Sequence, residues 1–172
     1  GQVLSKTFRG GEMLQTADCE KRNVQYLYKQ NDRVMTQREL EKRLASGEKP
    51  ASKERFVMVQ CVGSREEPYQ YCSRICCQDA IKNAIAIKER TPDAQVFILY
   101  RDIRTYGLRE DYYKKAREMG VIFVRYEVDR KPRVEASGDK IRVSTWDYML
   151  NKEIVINADQ LVLSTGLRPH PT

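Results

Sequence analysis

The chain has 172 residues, a formal net charge of +7 and five cysteines. This length can bury the core of one domain, and an odd number of cysteines argues against a secreted disulfide framework. No apolar run approaches the roughly 20 residues that cross a bilayer, and no signal-peptide pattern is present, so we expect a soluble, cytoplasmic protein without direct membrane insertion. Acidic residues are interleaved with the basic ones, which indicates a solvated surface and no nucleic-acid partner.

The first 53 residues predict a single helix in an otherwise weakly patterned segment. Thr36 and Glu39 have the spacing of a capping box, and Leu40 and Leu44 follow on one helical face. The helix should end soon after Leu44, before a polar linker. We therefore divide the chain into residues 1–53, an N-terminal segment with one helix, and residues 54–172, the main domain.

Residues 54–172 predict strands that alternate with helices and then a run of strands alone. Short continuous apolar runs are typical of strands buried in a parallel sheet. Strands are predicted over residues 56–61, 95–100 and 121–126, with helices over 76–90 and 108–119, the second closed by Gly120. Hairpin strands over 133–136 and 140–144, a third over 153–156 and a last apolar strand over 158–164 follow. The order predicts an α/β fold, a Rossmann-like three-layer domain with a parallel sheet and a small β-meander.

Four of the five cysteines crowd the connection between the first of these strands and its helix. Cys61, Cys72, Cys76 and Cys77 have the spacing C-x10-C-x3-C-C. A soft-metal site, a redox pair and ordinary buried thiols all fit such a cluster, and the metal site is favoured because thiolate sets select zinc or iron–sulfur clusters. Cys19 stands apart between two acidic residues and is predicted to be an exposed thiol outside the cluster.

The spacing favours an iron–sulfur cluster over zinc. Zinc sites with four cysteines usually come as two C-x2-4-C pairs, whereas adjacent ligands such as Cys76 and Cys77 are awkward around one small tetrahedral ion. In open α/β sheets ligands bind at the carboxyl ends of strands, where a dinucleotide-binding loop would carry several glycines. This loop carries one, Gly63, so we predict a thiolate site in place of a nucleotide site.

Charged residues near the cluster predict secondary roles. Arg65 and Arg74 lie inside the loop and would raise a cluster's reduction potential if they face it, although exposed surface positions fit them as well. Arg101, Asp102 and Arg104 follow the second strand, where the ribose or 2′-phosphate of a nucleotide would be recognised. A ligand role is not expected for the single histidine, His170.

Five motifs in the same order resemble the A subunit of heterodisulfide reductase and the related A subunit of the quinone-interacting membrane-bound oxidoreductase. They are Gln60-Cys-Val-Gly-Ser-Arg65, Tyr71-Cys-Ser-Arg-Ile-Cys-Cys77, Ala80-Ile-Lys-Asn-Ala84, Tyr100-Arg-Asp-Ile-Arg104 and Leu163-Ser-Thr-Gly166. The resemblance implies the nucleotide domain of a flavoprotein with two dinucleotide-binding domains, in which a [4Fe–4S] cluster is held at positions 61, 72, 76 and 77. It also implies that Gly63, Ser64, Thr165 and Gly166 line the cofactor site.

The resemblance further implies an FAD-dependent oxidoreductase of which this chain is one domain. The chain lacks a glycine-rich FAD fingerprint and ferredoxin-type cysteine runs. We therefore expect FAD in a longer parent polypeptide, and we do not expect catalysis by this piece alone. The expected partners are the remaining flavin domain, for which residues before about 33 would form a junction, and other iron–sulfur redox subunits.

Two alternatives to an electron-transfer domain stay open on the sequence. The first is a zinc-binding or metal-free docking module without redox activity. The second is a pyridine-nucleotide-binding domain of a disulfide-reductase-like flavoprotein.

Overall fold

The computed structural model describes residues 32–167, which form a parallel sheet, an antiparallel sheet and three α-helices. Cys19 and His170 lie outside the described residues. The strands are β1 (Val34–Thr36), β2 (Arg55–Val62), β3 (Gln95–Tyr100), β4 (Ile122–Arg125), β5 (Arg133–Ser137), β6 (Lys140–Asp147), β7 (Lys152–Ala158) and β8 (Gln160–Thr165). The helices are α1 (Gln37–Ala45), α2 (Cys76–Arg90) and α3 (Glu110–Glu118), with 3-10 turns at Gly107–Arg109 and Val128–Arg130.

The larger sheet has the strand order β1-β8-β2-β3-β4, and every neighbouring pair is parallel. Parallel strands need crossover connections: α1, α2 and α3 follow β1, β2 and β3, and the chain crosses from β4 to β8 through the three remaining strands. The smaller sheet is the antiparallel meander β5-β6-β7. All carboxyl ends of the larger sheet therefore meet at one edge, where ligands of such sheets bind.

The parallel sheet is the middle of three layers, and its alternating side chains fill two cores. Along β2, Phe56 and Met58 pack with the helices, while Val57 and Val59 pack with the meander. Ile81 of α2 and Leu161 of β8 are almost wholly buried, and burial of one such side chain contributes about 1.5–3 kcal/mol. The Rossmann-like three-layer α/β prediction is confirmed.

The structure agrees with the predicted element boundaries to within a few residues. Thr36 and Glu39 form the capping box, with each side chain bonded to the other's backbone N–H. The second helix runs over Cys76–Arg90 as predicted. The third begins as a 3-10 turn and becomes α-helical only at Glu110. Gly120 follows its end with φ 82°, a left-handed conformation that glycine adopts without strain.

The first strand, β1, was not predicted, because its only signal is two apolar residues before the capping box. β1 pairs with β8, and Leu40 and Leu44 of α1 belong to the core on the helical side. Residues 34–45, assigned above to the N-terminal segment, thus contribute a strand and a helix to the sheet and core of residues 54–167. None of the helices within residues 32–167 has both the length and the apolar character needed to span a bilayer.

Candidate metal centre

The four clustered cysteines lie at the carboxyl edge of the parallel sheet. Cys61 is near the end of β2, Cys76 and Cys77 form the first turn of α2, and Cys72 lies on the loop between them. All four are free thiols, and Cys77 is buried. Their charges interact, because an ionised Cys61 or Cys72 would raise the pKa of both Cys76 and Cys77. The strand end, the loop and the helix start thus place the thiols near enough for their charges to interact.

A bulge in β2 places Cys61. Val59 pairs with Leu163 and Val62 with Thr165, so β2 advances one residue more than β8 between these two pairs. Cys61 lies in this step with φ 60°, a left-handed conformation that is costly for a residue with a Cβ. Bulges of this kind redirect a side chain at the end of a strand.

Burial favours the protonated thiols of Cys61, Cys76 and Cys77 by raising their pKa. It raises the pKa of Cys61, against the opposing hydrogen bond from Arg65, and it raises the pKa of Cys76 to about 11. Burial also raises the pKa of Cys77, against the opposing backbone N–H of Arg104. In their protonated form Cys76 donates to the Thr165 carbonyl at 3.7 Å and Cys77 to the Asp102 carbonyl at 3.5 Å. Thiolates at these positions need a compensating cation, which a bound metal provides.

Backbone dipoles and an arginine supply further positive potential. The first turn of α2 carries the positive end of the helix dipole. Arg65 lies with Nη1 4.0 Å from Cys61 Sγ, and its side chain is only 17% exposed. Arg74 is exposed, and it contacts a cysteine through its backbone N–H, which lies 3.4 Å from Cys72 Sγ. Of the two arginines in the loop, Arg65 is therefore the one whose guanidinium faces the thiols.

The residues proposed for ribose recognition pack against the cysteine loop. Asp102 Oδ2 accepts from Arg65 Nη2 at 2.6 Å. Arg101 Nη1 donates to the Arg65 carbonyl at 2.9 Å, and Arg104 lies 3.9 Å from the Asp102 carboxylate. These three side chains thus contact Arg65 or its ion pair. A structural role for Asp102 was not foreseen, and its position after a buried strand was the only signal in the sequence.

The end of β8 holds the cysteine loop in place. Gly166 N donates to the Val62 carbonyl at 3.1 Å, and Leu167 N donates to Ser73 Oγ at 2.7 Å. A Cβ at Gly166 would lie 2.6 Å from Ser64 Cβ, which is too close for any side chain. Of the four predicted cofactor-lining residues, Ser64, Thr165 and Gly166 therefore lie beside the thiols, and Gly63 directly precedes Ser64.

Several buried polar side chains lie on the strands and helices near the cysteines. Gln37 Nε2 donates to Ser164 Oγ at 3.2 Å, and Asn83 donates to Gln37. Gln60, the neighbour of Cys61, is fully buried, and neither its amide nitrogen nor its amide oxygen has a hydrogen-bond partner. The sequence signalled this residue as the one polar side chain in the apolar run of β2.

Within residues 32–167, no three cysteine, histidine or carboxylate side chains are arranged as ligands of one metal ion. A zinc site with Zn–S distances near 2.3 Å brings its sulfurs within about 4 Å of one another. A cubane [4Fe–4S] cluster binds its cysteines at separate corners. Its four ligand sulfurs can therefore lie farther apart than those around one zinc ion. The observed arrangement is therefore not a preformed site for a single tetrahedral ion.

Sequence comparison relates this chain to one group of curated proteins. It is 38% identical over 167 residues to the iron-sulfur A subunit of CoB–CoM heterodisulfide reductase from Methanocaldococcus jannaschii, a match that covers 86% of this chain. It is 41% identical over 121 residues to the A subunit of ferredoxin:CoB-CoM heterodisulfide reductase from Methanosarcina acetivorans, which covers 68% of this chain. This chain is a relative of the heterodisulfide reductase A subunit. No family model matches it.

The chain corresponds to only part of each heterodisulfide reductase protein that it matches. It spans 24% of the Methanocaldococcus jannaschii protein and 15% of the Methanosarcina acetivorans protein. A third relative, from Archaeoglobus profundus and named as similar to the heterodisulfide reductase A subunit, is 33% identical over 76% of this chain and 19% of its own length. The predicted resemblance to this type of subunit is confirmed.

A solved structure supports the fold alone. The crystal structure of L-lysine 6-monooxygenase from Pseudomonas syringae superposes with a TM-score of 0.51 over 81% of this chain and 41% of its own. The sequence identity is 13%. The three layers of this heterodisulfide reductase relative therefore recur in an oxygenase with little sequence in common.

Proposed function

We propose that this chain is an electron-transfer domain of a heterodisulfide-reductase-A-like oxidoreductase, and that Cys61, Cys72, Cys76 and Cys77 hold one [4Fe–4S] cluster. The observation that carries the proposal is the presence of four free thiols on the strand end, the loop and the helix start at the carboxyl edge of the sheet. Relatives named as iron-sulfur subunits of a reductase support it. When bound, such a cluster supplies reversible one-electron chemistry.

The residues present fit this group in donor type and in charge. Four sulfur donors match the ligands of a [4Fe–4S] cluster. A cluster with four thiolates carries net negative charge, which the helix N-terminus and the guanidinium of Arg65 offset. The partly buried setting of the thiols limits access of water to such a group.

The remaining parts of the proposal concern a longer protein. Because the chain spans a quarter or less of these relatives, we place FAD in the remainder of the polypeptide, with Thr165 and Gly166 at the contact with the flavin domain. Other iron–sulfur subunits would exchange electrons with it, as the names of the relatives suggest. A cytoplasmic location and a division near residue 53 stay predictions.

Iron and sulfide analysis tests the cluster directly. The chain is reconstituted without oxygen with ferrous iron and sulfide, and about four of each are expected per chain, with visible absorption that bleaches on reduction. Changing Cys61, Cys72, Cys76 or Cys77 to Ser should reduce iron content, while Cys19→Ser serves as the matched control and should not.

Four outcomes would contradict the proposed function. Colourless protein with stoichiometric zinc would favour the docking module. Absence of iron in the unchanged protein, or full iron in all four cysteine variants, would remove the cluster from this site. Micromolar binding of NADPH or NADH by calorimetry, in protein that takes up no iron, would favour the pyridine-nucleotide-binding domain.

A further inference from the structure

Arg65 and Asp102 form an ion pair beside the thiols that is held from several sides. Arg65 reaches both Cys61 Sγ, at 4.0 Å, and Asp102 Oδ2, at 2.6 Å. Its carbonyl accepts from Arg101, and its backbone N–H donates to the Tyr71 carbonyl at 3.2 Å. The guanidinium is therefore held in place beside Cys61.

Asp102 connects this pair to a second cysteine. Its carboxylate binds Arg65, and its backbone carbonyl accepts from the Cys77 thiol at 3.5 Å. Asp102 lies just beyond the end of β3, so a position fixed by the sheet carries both contacts. The positive charge of Arg65 thus lies beside Cys61, and the negative charge of Asp102 is paired with that guanidinium.

We propose that the Arg65–Asp102 ion pair sets the reduction potential of the group bound by the four cysteines, with Arg65 raising it and Asp102 lowering it. This inference rests on the proposed function. Both residues act through the field at the sulfurs and are positioning residues, since neither is a ligand.

The sign of each effect follows from electrostatics. One-electron reduction of a bound cluster adds one negative charge, with no bond made or broken and no proton taken up. A guanidinium 4.0 Å from a ligand sulfur stabilises that added charge, and partial burial preserves the interaction from screening. The carboxylate opposes it. Removing Arg65 and removing Asp102 must therefore move the potential in opposite directions.

A redox titration monitored by electron paramagnetic resonance tests this. The reconstituted chain is titrated with dithionite in the presence of mediators, and iron and sulfide are measured for every variant. At a fixed ambient potential, Arg65→Gln should lower the ratio of reduced to oxidised cluster about tenfold, equivalent to about 59 mV for one electron. Asp102→Asn should raise this ratio. Arg65→Lys should give a smaller decrease, because lysine keeps the positive charge but lacks the forked guanidinium that reaches both Cys61 and Asp102.

Arg74→Gln is the matched control. Arg74 belongs to the same loop as Arg65, but its side chain is exposed. Its removal should leave the ratio of reduced to oxidised cluster unchanged. If Arg65→Gln does not take up a full cluster, Arg65→Lys carries the comparison.

The results separate this inference from the proposed function. A shift of the same sign in Arg65→Gln and Asp102→Asn would indicate general loosening of the loop and overturn the inference. Equal shifts in Arg65→Gln and Arg74→Gln would also overturn it, as would fully loaded variants with an unmoved potential, while the cluster itself would stand. Absence of iron in the unchanged protein would instead remove the proposed function and this inference with it.

Discussion

The close approach of Gly166 to the cysteine loop predicts a large effect of one methyl group. Gly166 packs so tightly on Ser64 that an added Cβ would lie 2.6 Å from Ser64 Cβ and 3.2 Å from Ser64 Oγ. Carbon atoms in contact prefer a separation of about 3.5–4.0 Å, so either the segment with Gly166 or the segment with Ser64 must move by about 1 Å in Gly166→Ala. The φ of Gly166 lies outside the left-handed region, so the change tests packing and not backbone strain.

The displaced segment has little room to yield. Ser64 is only 3% exposed, so it cannot turn into solvent. Movement of Gly166 instead would strain its hydrogen bond to the Val62 carbonyl. Forced overpacking of this kind costs about 1–3 kcal/mol. We expect Gly166→Ala to lower the free energy of unfolding of the metal-free chain by that amount and to reduce iron uptake.

Denaturant unfolding followed by tryptophan fluorescence measures the change, because the single tryptophan, Trp146, lies in the meander under Arg130. The paired variant Ser64→Gly removes the Cβ with which the new methyl group of Gly166→Ala would clash. It should itself cost about 0.5–1 kcal/mol in chain flexibility. Combined with Gly166→Ala, it should restore part of the lost stability.

Two results would refute this reasoning. One is a Gly166→Ala protein as stable as the original. The other is strict additivity of the two changes, since a shared clash must produce a non-additive pair.

Three further predictions concern the metal-free protein. Because Cys61 has φ 60°, the free energy of unfolding of Cys61→Gly should exceed that of Cys61→Ala by about 1 kcal/mol in the same denaturation assay. Equal stabilities of the two variants would contradict the left-handed conformation. The folded protein raises the pKa of Cys76 to about 11, so it holds this proton more tightly than the unfolded chain does. The resulting stabilisation is complete below the ordinary pKa of a thiol and is lost as the pH rises towards 11. Stability measured from pH 8 to 11 should therefore fall by about 1 kcal/mol after allowance for partial exposure, and this fall should shrink in Cys76→Ala; an unchanged pH profile would count against it. Because both amide atoms of Gln60 are buried without partners, Gln60→Met should raise the free energy of unfolding by about 1 kcal/mol, and a loss of stability would show that the amide has a partner.

Local patterns made most of the fold predictable. Continuous apolar runs marked the central strands, and Gly120 marked the end of α3. The location of Cys61 and Cys76 at the same edge of the sheet was predictable for a topological reason, because the end of a parallel strand and the start of its following helix share one edge of the sheet. These features depend on neighbours along the chain or on a general rule of connection.

The features that escaped prediction depend on contacts between distant residues. Asp102 meets Arg65 only because β3 lies beside β2, and Gly166 meets Ser64 only because β8 lies on the other side. The left-handed conformation of Cys61 comes from a one-residue mismatch between two paired strands. β1 has only three residues and too little sequence to signal a strand without its partner β8.

The confinement of all four clustered cysteines to one βα connection has a consequence for how metal would affect folding. An unfolded chain keeps these sulfurs close together along the polypeptide, since they lie within residues 61–77. Iron or zinc can therefore associate with the denatured chain as well as with the native one. Any affinity of that kind subtracts from the stabilisation that a bound metal gives the native state. Metal should thus raise the melting temperature by less than its affinity for the folded domain alone would suggest.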